Sequence, residues 1–498
     1  MAAKYILAID QGTTSSRAII FDLNGKVIAC NQQEFPQIFP SDGWVEHDPE
    51  IIWQSVKHTS QQVLEEAGIS SSEIISLGIT NQRETTLVWD KNTGKCIYNA
   101  IVWQDRRTSE QCKKLRNIVG LSEKVQSKTG LVLDPYFSAT KIAWVLDNVE
   151  GARLKAEKGE LLFGTIDTFL LFRLTNSMQH LTDATNASRT LLFNIHENRW
   201  DDELLSLFNI PLQMMPEVKD SAADFGVTDV NIFSPAISIG AMAGDQQAAL
   251  VGQGCLSKGM MKSTYGTGCF MMVNTGDKVV QSAHQLLSTI AYRINGQTTY
   301  ALEGSIFMAG ATIQWIRDGL KFIDCASESE GLAQQIAYDH QVYMVPAFTG
   351  LGAPYWHAKA RGTISGLTRD SGIKEIVSAA LQSVGYQSRD LIMAMKKDGA
   401  HPHSIRVDGG MVANDWLMQF LADMLDFDVL RSREVETTAL GVALLAGVHS
   451  GVYNGLDELK NIYKSDITFT PEMSDKQRQH LYQGWLGAVN AALNITEQ

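Results

Sequence analysis

Two short turns that contain a Gly-Thr pair could bind phosphate groups. The first, Asp10–Thr14 (DQGTT), precedes a strand predicted at Arg17–Phe21. The second, Tyr265–Gly268 (YGTG), precedes a strand predicted at Phe270–Asn274. Such a turn presents backbone N–H groups and a hydroxyl at one point, and its glycine lets a phosphate approach the backbone. Ordinary hairpin turns would explain the same residues, so both interpretations stay open at this point.

Charged side chains accompany the first turn. Asp10 lies directly before it, and a carboxylate there could hold Mg²⁺, which favours one or two carboxylates together with phosphate oxygens. Arg17 could reach the same phosphates. If the turn is an ordinary hairpin, Asp10 is instead a solvated side chain.

Later segments could hold a flat ligand such as adenine or ribose. In Val407–Gly410 (VDGG) a predicted strand ends in an acid and two glycines, and Asn414 opens a helix predicted around Trp416–Leu425. Gly310 and Gln314 stand four residues apart, on one face of a predicted helix. Each of these features also has a purely structural explanation.

A second group of residues could recognise hydroxyl groups. In Thr80–Thr86 (TNQRETT), Arg83 and Glu84 offer a hydrogen-bond donor and an acceptor at a strand end. A surface ion pair is the alternative explanation for them. The rings of Trp103 and Tyr136 could pack against the C–H surface of a polyol, although such rings are usually core residues.

One carboxylate is placed to accept a proton. Gly244–Gln247 precedes the helical segment Ala248–Gly252, so Asp245 is predicted at a helix N-terminus, where the dipole favours the ionised form. Near an acceptor hydroxyl, Asp245 could orient that group and take its proton during phosphoryl transfer. A helix cap without any catalytic role is the alternative.

The elements that would position these residues alternate between strands and helices. Predicted strands at Ile6–Ile9, Arg17–Phe21 and Lys26–Cys30 form a meander, and Asp48 can cap a helix that ends at Gly68. This order predicts an α/β protein with a mixed sheet. The second Gly-Thr turn begins near the middle of the chain, which predicts two similar domains, 1–253 and 254–498, around a shared cleft. The final predicted helix, residues 476–493, has an apolar stripe for packing.

Composition excludes several classes of protein. The chain has 498 residues, enough for two or more cores, with 44% hydrophobic and 19% charged residues. The net charge of −13 and the lack of a long basic run argue against nucleic acid or anionic membrane as partners. The six cysteines show no CxxC pair, and neither a signal peptide nor a membrane-spanning segment is predicted. These features predict a cytoplasmic protein with free thiols.

Taken together, the motifs resemble the FGGY family of carbohydrate kinases, and within it the members that phosphorylate glycerol. The resemblance runs from about Tyr5 to the final helix and is far more specific than any single turn. The segments that carry it are Asp10–Arg17, Asn81–Thr86, Gly244–Ala249 and Tyr265–Phe270, with Tyr136–Asn148 and Gly366–Gln382 similar to the two signature regions of the family.

The resemblance implies a fold and an activity. The fold is α/β, with two ribonuclease-H-like domains of the actin-like ATPase type whose mixed sheets flank a nucleotide cleft. Residues 1–253 would bind glycerol and phosphate, and residues 254–498 would bind the adenine nucleotide. The implied reaction is direct in-line transfer from ATP to glycerol, with Mg²⁺, giving sn-glycerol 3-phosphate and ADP. A homodimer or homotetramer is also implied.

The resemblance further implies roles for individual residues. Asp245 is the implied proton acceptor, and Asp10 is the implied Mg²⁺ partner. The residues implied to contact or border glycerol are Arg83, Glu84, Trp103, Tyr136, Asp245, Gln246 and Phe270. Those implied to surround the nucleotide are Thr13, Thr14, Ser15, Arg17, Thr267, Gly310, Gln314, Gly410 and Asn414.

Two alternatives stay open at the level of sequence. One is a kinase of the same family that acts on another small polyol, a ketopentose or gluconate. The other is a non-catalytic, actin-like nucleotide-binding protein or filament former. Such a protein would need the nucleotide turns but not the acceptor residues. An enzyme is favoured by the joint presence of the acceptor residues Arg83, Glu84, Trp103, Tyr136, Asp245 and Phe270.

Overall fold

A computed structural model describes residues 4–357, 359–432, 436–460, 462–463 and 465–494. Within them the chain forms strands and helices that alternate along the sequence, as predicted. In chain order the strands are β1 Tyr5–Gln11, β2 Ser15–Asp22, β3 Val27–Glu34, β4 Glu46–His47, β5 Ile74–Asn81, β6 Leu87–Asp90, β7 Ala100–Ile101, β8 Leu161–Gly164, β9 Leu181–Asp183, β10 Phe193–Asn194, β11 Arg199–Trp200, β12 Glu217–Lys219, β13 Ile239–Gly244, β14 Met260–Tyr265, β15 Cys269–Gly276, β16 Leu287–Ile294, β17 Gln297–Ile306, β18 Tyr343–Val345, β19 Thr363–Ser365, β20 Ser404–Asp408, β21 Val429–Ser432 and β22 Ser465–Phe469.

The helices of the described residues range from a single turn to 25 residues. In chain order they are α1 Pro49–Ala67, α2 Ser109–Arg116, α3 Leu121–Thr129, α4 Ser138–Asn148, α5 Ala152–Glu157, α6 Ile166–Leu174, α7 Ala184–Ala187, α8 Asp202–Leu207, α9 Asp245–Gly252, α10 Gly310–Asp318, α11 Glu328–Ala333, α12 Ile373–Lys397, α13 Asp415–Leu425, α14 Thr437–His449, α15 Leu456–Leu459 and α16 Asp475–Asn494. No helix in this part of the chain is both long enough and apolar enough to cross a bilayer.

Two mixed sheets repeat one topology. The first sheet has the strand order β13-β5-β1-β2-β3, and the second has β16-β17-β15-β14-β20-β21-β22. In the first, β1 runs antiparallel to β2 and parallel to β5. In the second, β14 runs antiparallel to β15 and parallel to β20. The two Gly-Thr turns therefore join equivalent strand pairs, which confirms the predicted mixed α/β fold; the boundary at residue 253 stays a prediction.

The first sheet is buried on both faces. Because side chains alternate along a strand, Leu7 and Ile9 of β1 face α1 and α6, whereas Ile6 and Ala8 face α9 and α14. Helix α14 comes from far along the sequence yet lies on this sheet. A Cβ atom on Gly78 of β5 would lie 2.6 Å from the carbonyl oxygen of Val442, so glycine permits this close approach.

Local signals predicted the ends of α1 correctly. Asp48 accepts a hydrogen bond from the backbone N–H of Glu50 at 2.8 Å, and Pro49 occupies the first turn. Gly68 ends the helix in the left-handed conformation, with φ 64°. The predicted stripe on the last helix is also confirmed, because Leu481 and Trp485 are buried.

Candidate active site

The second Gly-Thr turn packs against the start of α10. The backbone N–H groups of Ala309 and Ala311 each donate to the carbonyl oxygen of Thr267 at 3.0 Å, and that of Gly310 donates to Gly266 at 2.9 Å. A Cβ atom on Gly310 would lie 2.6 Å from the carbonyl oxygen of Gly266. Any other residue at position 310 would force the backbone of the turn or of α10 to move. Glycine therefore allows the close contact between Thr267 and Gly310 that these hydrogen bonds hold.

The turn after β20 lies against the same region. Gly409 has φ 95°, and a Cβ atom there would lie 2.5 Å from the carbonyl oxygen of Tyr265, at the end of β14. Gly410 follows and is exposed. Asn414 is engaged differently, because its side-chain oxygen accepts from the N–H of Leu417 at 2.8 Å and so caps α13. Gln314 is exposed on α10.

A network of charged side chains lies beside the first Gly-Thr turn. Arg17 donates to Oδ2 of Asp10 at 2.6 Å and to Oε2 of Glu436 at 2.7 Å. Asp10 is only 3% exposed. Burial raises the pKa of Asp10, while the positive charge of Arg17 acts in the opposite direction. The neighbouring Thr14 is exposed, and the hydroxyl of Ser15 accepts from Gln32 at 3.1 Å.

The carboxylates near this turn fit a metal ion that is held mainly by a ligand. Within the described ranges, no three His, Cys, Asp or Glu side chains are grouped to hold a metal. Asp10 alone could complete the coordination of a Mg²⁺ ion bound to phosphate oxygens, because Mg²⁺ typically keeps one or two carboxylates and takes the rest from phosphate and water. Asp10 could therefore share a Mg²⁺ ion with a phosphate-bearing ligand.

The predicted proton acceptor contacts the predicted hydroxyl-binding arginine. Asp245 is the first residue of α9, and its side chain is 33% exposed. Its Oδ1 atom lies 3.0 Å from Nε of Arg83. A Cβ atom on Gly244 would lie 2.7 Å from the arginine side chain, so glycine at this position lets Arg83 pass beneath the start of α9. The start of α9 therefore places the side chain of Asp245 against the guanidinium of Arg83.

Three aromatic rings from separate segments converge beside this ion pair. The ring centroid of Trp103 lies 5.6 Å from that of Tyr136 and 6.4 Å from that of Phe270, both in edge-to-face geometry. The indole N–H of Trp103 donates to the hydroxyl of Thr13 at 3.0 Å. The aromatic group therefore joins the first Gly-Thr turn to the acceptor residues.

Glu84 adopts a backbone conformation that is rare for a residue with a side chain. Its φ is 61°, in the left-handed region, and the residue is buried. The hydroxyls of Thr86 and Ser138 donate to its carbonyl oxygen at 3.0 and 3.1 Å. Such strained residues cluster at functional sites, which supports a role for Glu84 beyond a surface ion pair.

Three buried charged residues of the site were missed by the sequence reasoning. Glu303 contacts Arg83 at 2.6 Å, and Arg189 contacts Glu84 at 2.6 Å. Lys262 donates to the side-chain oxygen of Gln246 and, at 3.1 Å, to the hydroxyl of Thr264. For Glu303 and Lys262 the available signal was a charge within an apolar strand, as in YALE at 300–303 and MMKS at 260–263.

The structure thus brings Arg83, Asp245 and the three aromatic rings close to one another and to the first turn. Thr267, Gly310 and Gly410 cluster at the second turn, whereas Gln314 is exposed one turn further along α10 and Asn414 caps α13. Arg17 contacts Asp10 at 2.6 Å and so lies beside the first turn, and its role toward phosphates stays a prediction.

Comparisons with known proteins agree on one family. The N-terminal domain of the FGGY family of carbohydrate kinases matches residues 5–252, and the C-terminal domain of that family matches residues 261–450. A protein of Alteromonas mediterranea named glycerol kinase is 61% identical over 486 residues, which cover 98% of this chain and 98% of that protein.

Solved structures show the same fold. The structure of Plasmodium falciparum glycerol kinase with ADP superposes with a TM-score of 0.93 at 36% identity, covering 99% of both chains. Gluconate kinase from Lactobacillus acidophilus superposes with a TM-score of 0.89 at 21% identity, covering 98% of both chains, which supports the fold alone. The two family domains together account for most of the sequence. The chain belongs to the FGGY family of carbohydrate kinases.

Proposed function

We propose that this protein transfers the γ-phosphoryl group of ATP to a terminal hydroxyl of glycerol, giving sn-glycerol 3-phosphate and ADP. The observation that carries the proposal is the Arg83–Asp245 pair, 3.0 Å apart, together with the edge-to-face group of Trp103, Tyr136 and Phe270, which would form the acceptor pocket with it. This pocket offers charged partners for hydroxyls and rings for a short carbon chain. Relatives with about the same length and 61% or 60% identity are named glycerol kinase.

In this proposal Asp245 orients the acceptor hydroxyl and takes its proton as the phosphoryl group moves across. Arg83 positions the side chain of Asp245 and, with Glu84 and Tyr136, binds the hydroxyls of glycerol. Trp103 and Phe270 pack against the carbon chain, and Gln246 borders the pocket. Positioning supplies most of the rate, since the loose transition state of phosphoryl transfer needs little covalent help.

The nucleotide would lie across the two Gly-Thr turns. Mg²⁺, held by Asp10, would neutralise charge on the phosphates. Residues 1–253 would form the acceptor and phosphate domain, and residues 254–498 the adenine-nucleotide domain. We also expect a homodimer or homotetramer, which sedimentation would identify. The residues proposed to surround ATP are Thr13, Thr14, Ser15, Arg17, Thr267, Gly310, Gln314, Gly410 and Asn414.

The proposal is tested by ADP release with Mg-ATP and a panel of acceptors. The panel contains glycerol, dihydroxyacetone, xylulose, ribulose, gluconate and no acceptor. We expect glycerol to give the highest kcat/KM, because a pocket built around three hydroxyls leaves buried groups unpaired with a poorer ligand. Turnover with another acceptor alone would refute the assignment of the pocket. ATP binding without acceptor-dependent turnover would favour a non-catalytic protein.

The variant Asp10→Asn tests the proposed metal partner. We expect the Mg²⁺ concentration for half-maximal rate to rise about 10- to 100-fold, because one anionic ligand is lost while the shape is kept. A Mg²⁺ titration at saturating ATP and glycerol measures this shift. The matched control is Asp475→Asn, a surface change on α16, which should leave the titration unchanged. An unaltered Mg²⁺ requirement in Asp10→Asn would contradict the assignment.

A further inference from the structure

Four charged side chains lie together beneath the proposed acceptor pocket. They are Arg83, Glu84, Arg189 and Glu303, and none is more than 3% exposed. Arg83 and Glu84 belong to the proposed glycerol contacts. Arg189 and Glu303 have no role in the reaction as derived so far, although they are buried as completely.

The contacts within this quartet join each pocket residue to a deeper one. Arg83 binds Glu303 through both terminal nitrogens, at 2.6 and 3.3 Å. Arg189 donates from Nε to Glu84 at 2.6 Å and from Nη2 to Glu303 at 3.0 Å. Arg83 and Glu84 themselves are 4.0 Å apart, at the limit of an ion pair. The geometry of both pocket residues is therefore set mainly by Arg189 and Glu303.

Arg189 is also adjacent to a third acceptor residue. Its guanidinium carbon lies 5.8 Å from the ring centroid of Tyr136 and 5.4 Å from that of Phe137. Its Nη1 atom has no hydrogen-bond partner among the described residues. The planar guanidinium thus serves Glu84 and Glu303 at once and supports the Tyr136 ring, a combination that a lysine ammonium could not reproduce.

The two arginines and two glutamates of the quartet carry no net charge when all four are ionised. The positive charges of the arginines act to lower the pKa of both carboxyl groups. Burial acts to raise the pKa of Glu303, but the positive charges of Arg189 and Arg83 outweigh it and lower the pKa to about 2. Burial raises the pKa of Glu84, while Arg189 and Arg83 oppose that change. An ionised Glu303 keeps the Arg83 guanidinium fixed beside Asp245, because removing one charge would leave the others unpaired.

The quartet also spans the two sheets. Glu303 lies on β17 of the second sheet, where it pairs with Met272 of β15, the strand that carries Phe270. The other three members come from the first half of the chain. A residue of the second sheet therefore holds the proposed hydroxyl-binding group Arg83.

We propose that Arg189 and Glu303 are positioning residues for acceptor recognition, which hold Arg83 and Glu84 in the one arrangement that fits the hydroxyls of glycerol. This role rests on the proposed function. It differs from a purely structural role because it predicts a selective loss of acceptor affinity. Neither residue contacts the reacting atoms.

The test uses Arg189→Lys and Glu303→Gln in the full-length protein. Both keep approximate size, but the first removes the planar fork and the second removes the charge that holds Arg83. We expect each to raise the KM for glycerol about 10-fold or more, with the KM for ATP within about twofold of the original value. Thermal unfolding and ADP binding show which variants are folded. If one variant fails to fold, the KM values of the other still test the proposal.

A double-mutant cycle distinguishes a positioning role of Arg189 from a nonspecific loss of structure. If Arg189 acts through Glu84, then Arg189→Lys in a Glu84→Gln background should raise the KM for glycerol less than it does alone. The control is Arg389→Lys, which changes a buried arginine against Tyr482 and Met424 in the second half of the chain. That variant should lower thermal stability without a selective effect on glycerol.

Three results would overturn the proposal. They are an unchanged KM for glycerol in a folded variant, equal changes in the KM values for glycerol and ATP, or full additivity in the cycle. A wild-type protein with no glycerol-dependent turnover would refute the proposed function instead. The same two variants would then be compared with the acceptor that does support turnover, where an unchanged KM would again overturn the positioning role.

Discussion

Asp245→Asn is expected to lower kcat for glycerol phosphorylation about 10²- to 10⁴-fold, the usual contribution of a positioned acid or base. The amide keeps the size of the carboxylate but cannot accept the hydroxyl proton. It also removes the negative partner 3.0 Å from Nε of Arg83. ADP affinity should change little, since the proposed nucleotide contacts lie at the two Gly-Thr turns. Single-turnover kinetics and ADP calorimetry measure the two quantities.

The matched control for this variant is Asp202→Asn. Asp202 is likewise the first residue of a helix, α8, but its side chain is 75% exposed and pairs only with surface residues in the contacts described. Its replacement should leave kcat unchanged. If Asp245→Asn turns over glycerol at nearly the original rate, Asp245 is neither the proton acceptor nor essential for orientation.

Gly441→Ala is expected to lower both stability and activity, although residue 441 is remote in sequence from the pocket. A Cβ atom there would lie 1.8 Å from the carbonyl oxygen of Ala248 in α9. Helices α9 and α14 must then separate, at a cost of about 1–3 kcal/mol of unfolding free energy. Because α9 begins with Asp245, a shift of about 1 Å should lower kcat/KM about 10²-fold. Chemical denaturation and steady-state kinetics measure these effects.

Gly487→Ala provides the control for this change. Gly487 lies within α16, and a Cβ atom there would meet no heavy atom within 4 Å. Alanine is favoured over glycine inside a helix, so stability should stay the same or rise by about 0.5–1 kcal/mol. Normal activity and stability in Gly441→Ala would contradict the view that α14 positions the proton acceptor.

Local patterns predicted the elements that carry the site. Strand alternation with turn residues predicted the hairpins around both Gly-Thr turns, and Asp48 with Gly68 predicted the bounds of α1. These features depend on neighbouring residues, so they can be read from a short stretch of sequence. The meeting of Arg83 with Asp245 depends on parallel pairing of β5 with β13, which brings their carboxyl ends together.

Long-range packing could not be predicted in the same way. The apolar segment that forms α14 is buried on several sides, and its pattern did not indicate which sheet it would cover. The buried charges of Arg189 and Glu303 are compensated by partners more than 100 residues away in sequence. A single charged residue in the sequence does not indicate which distant residue will pair with it.

In the proposed function, the protein moves the γ-phosphoryl group of ATP directly to glycerol. The most direct measurement is ³¹P NMR of a reaction that contains the protein, Mg-ATP and glycerol. We expect ATP to be converted to equal amounts of ADP and glycerol 3-phosphate, with little orthophosphate. Orthophosphate as the main product, or no conversion in the presence of bound ATP, would contradict it.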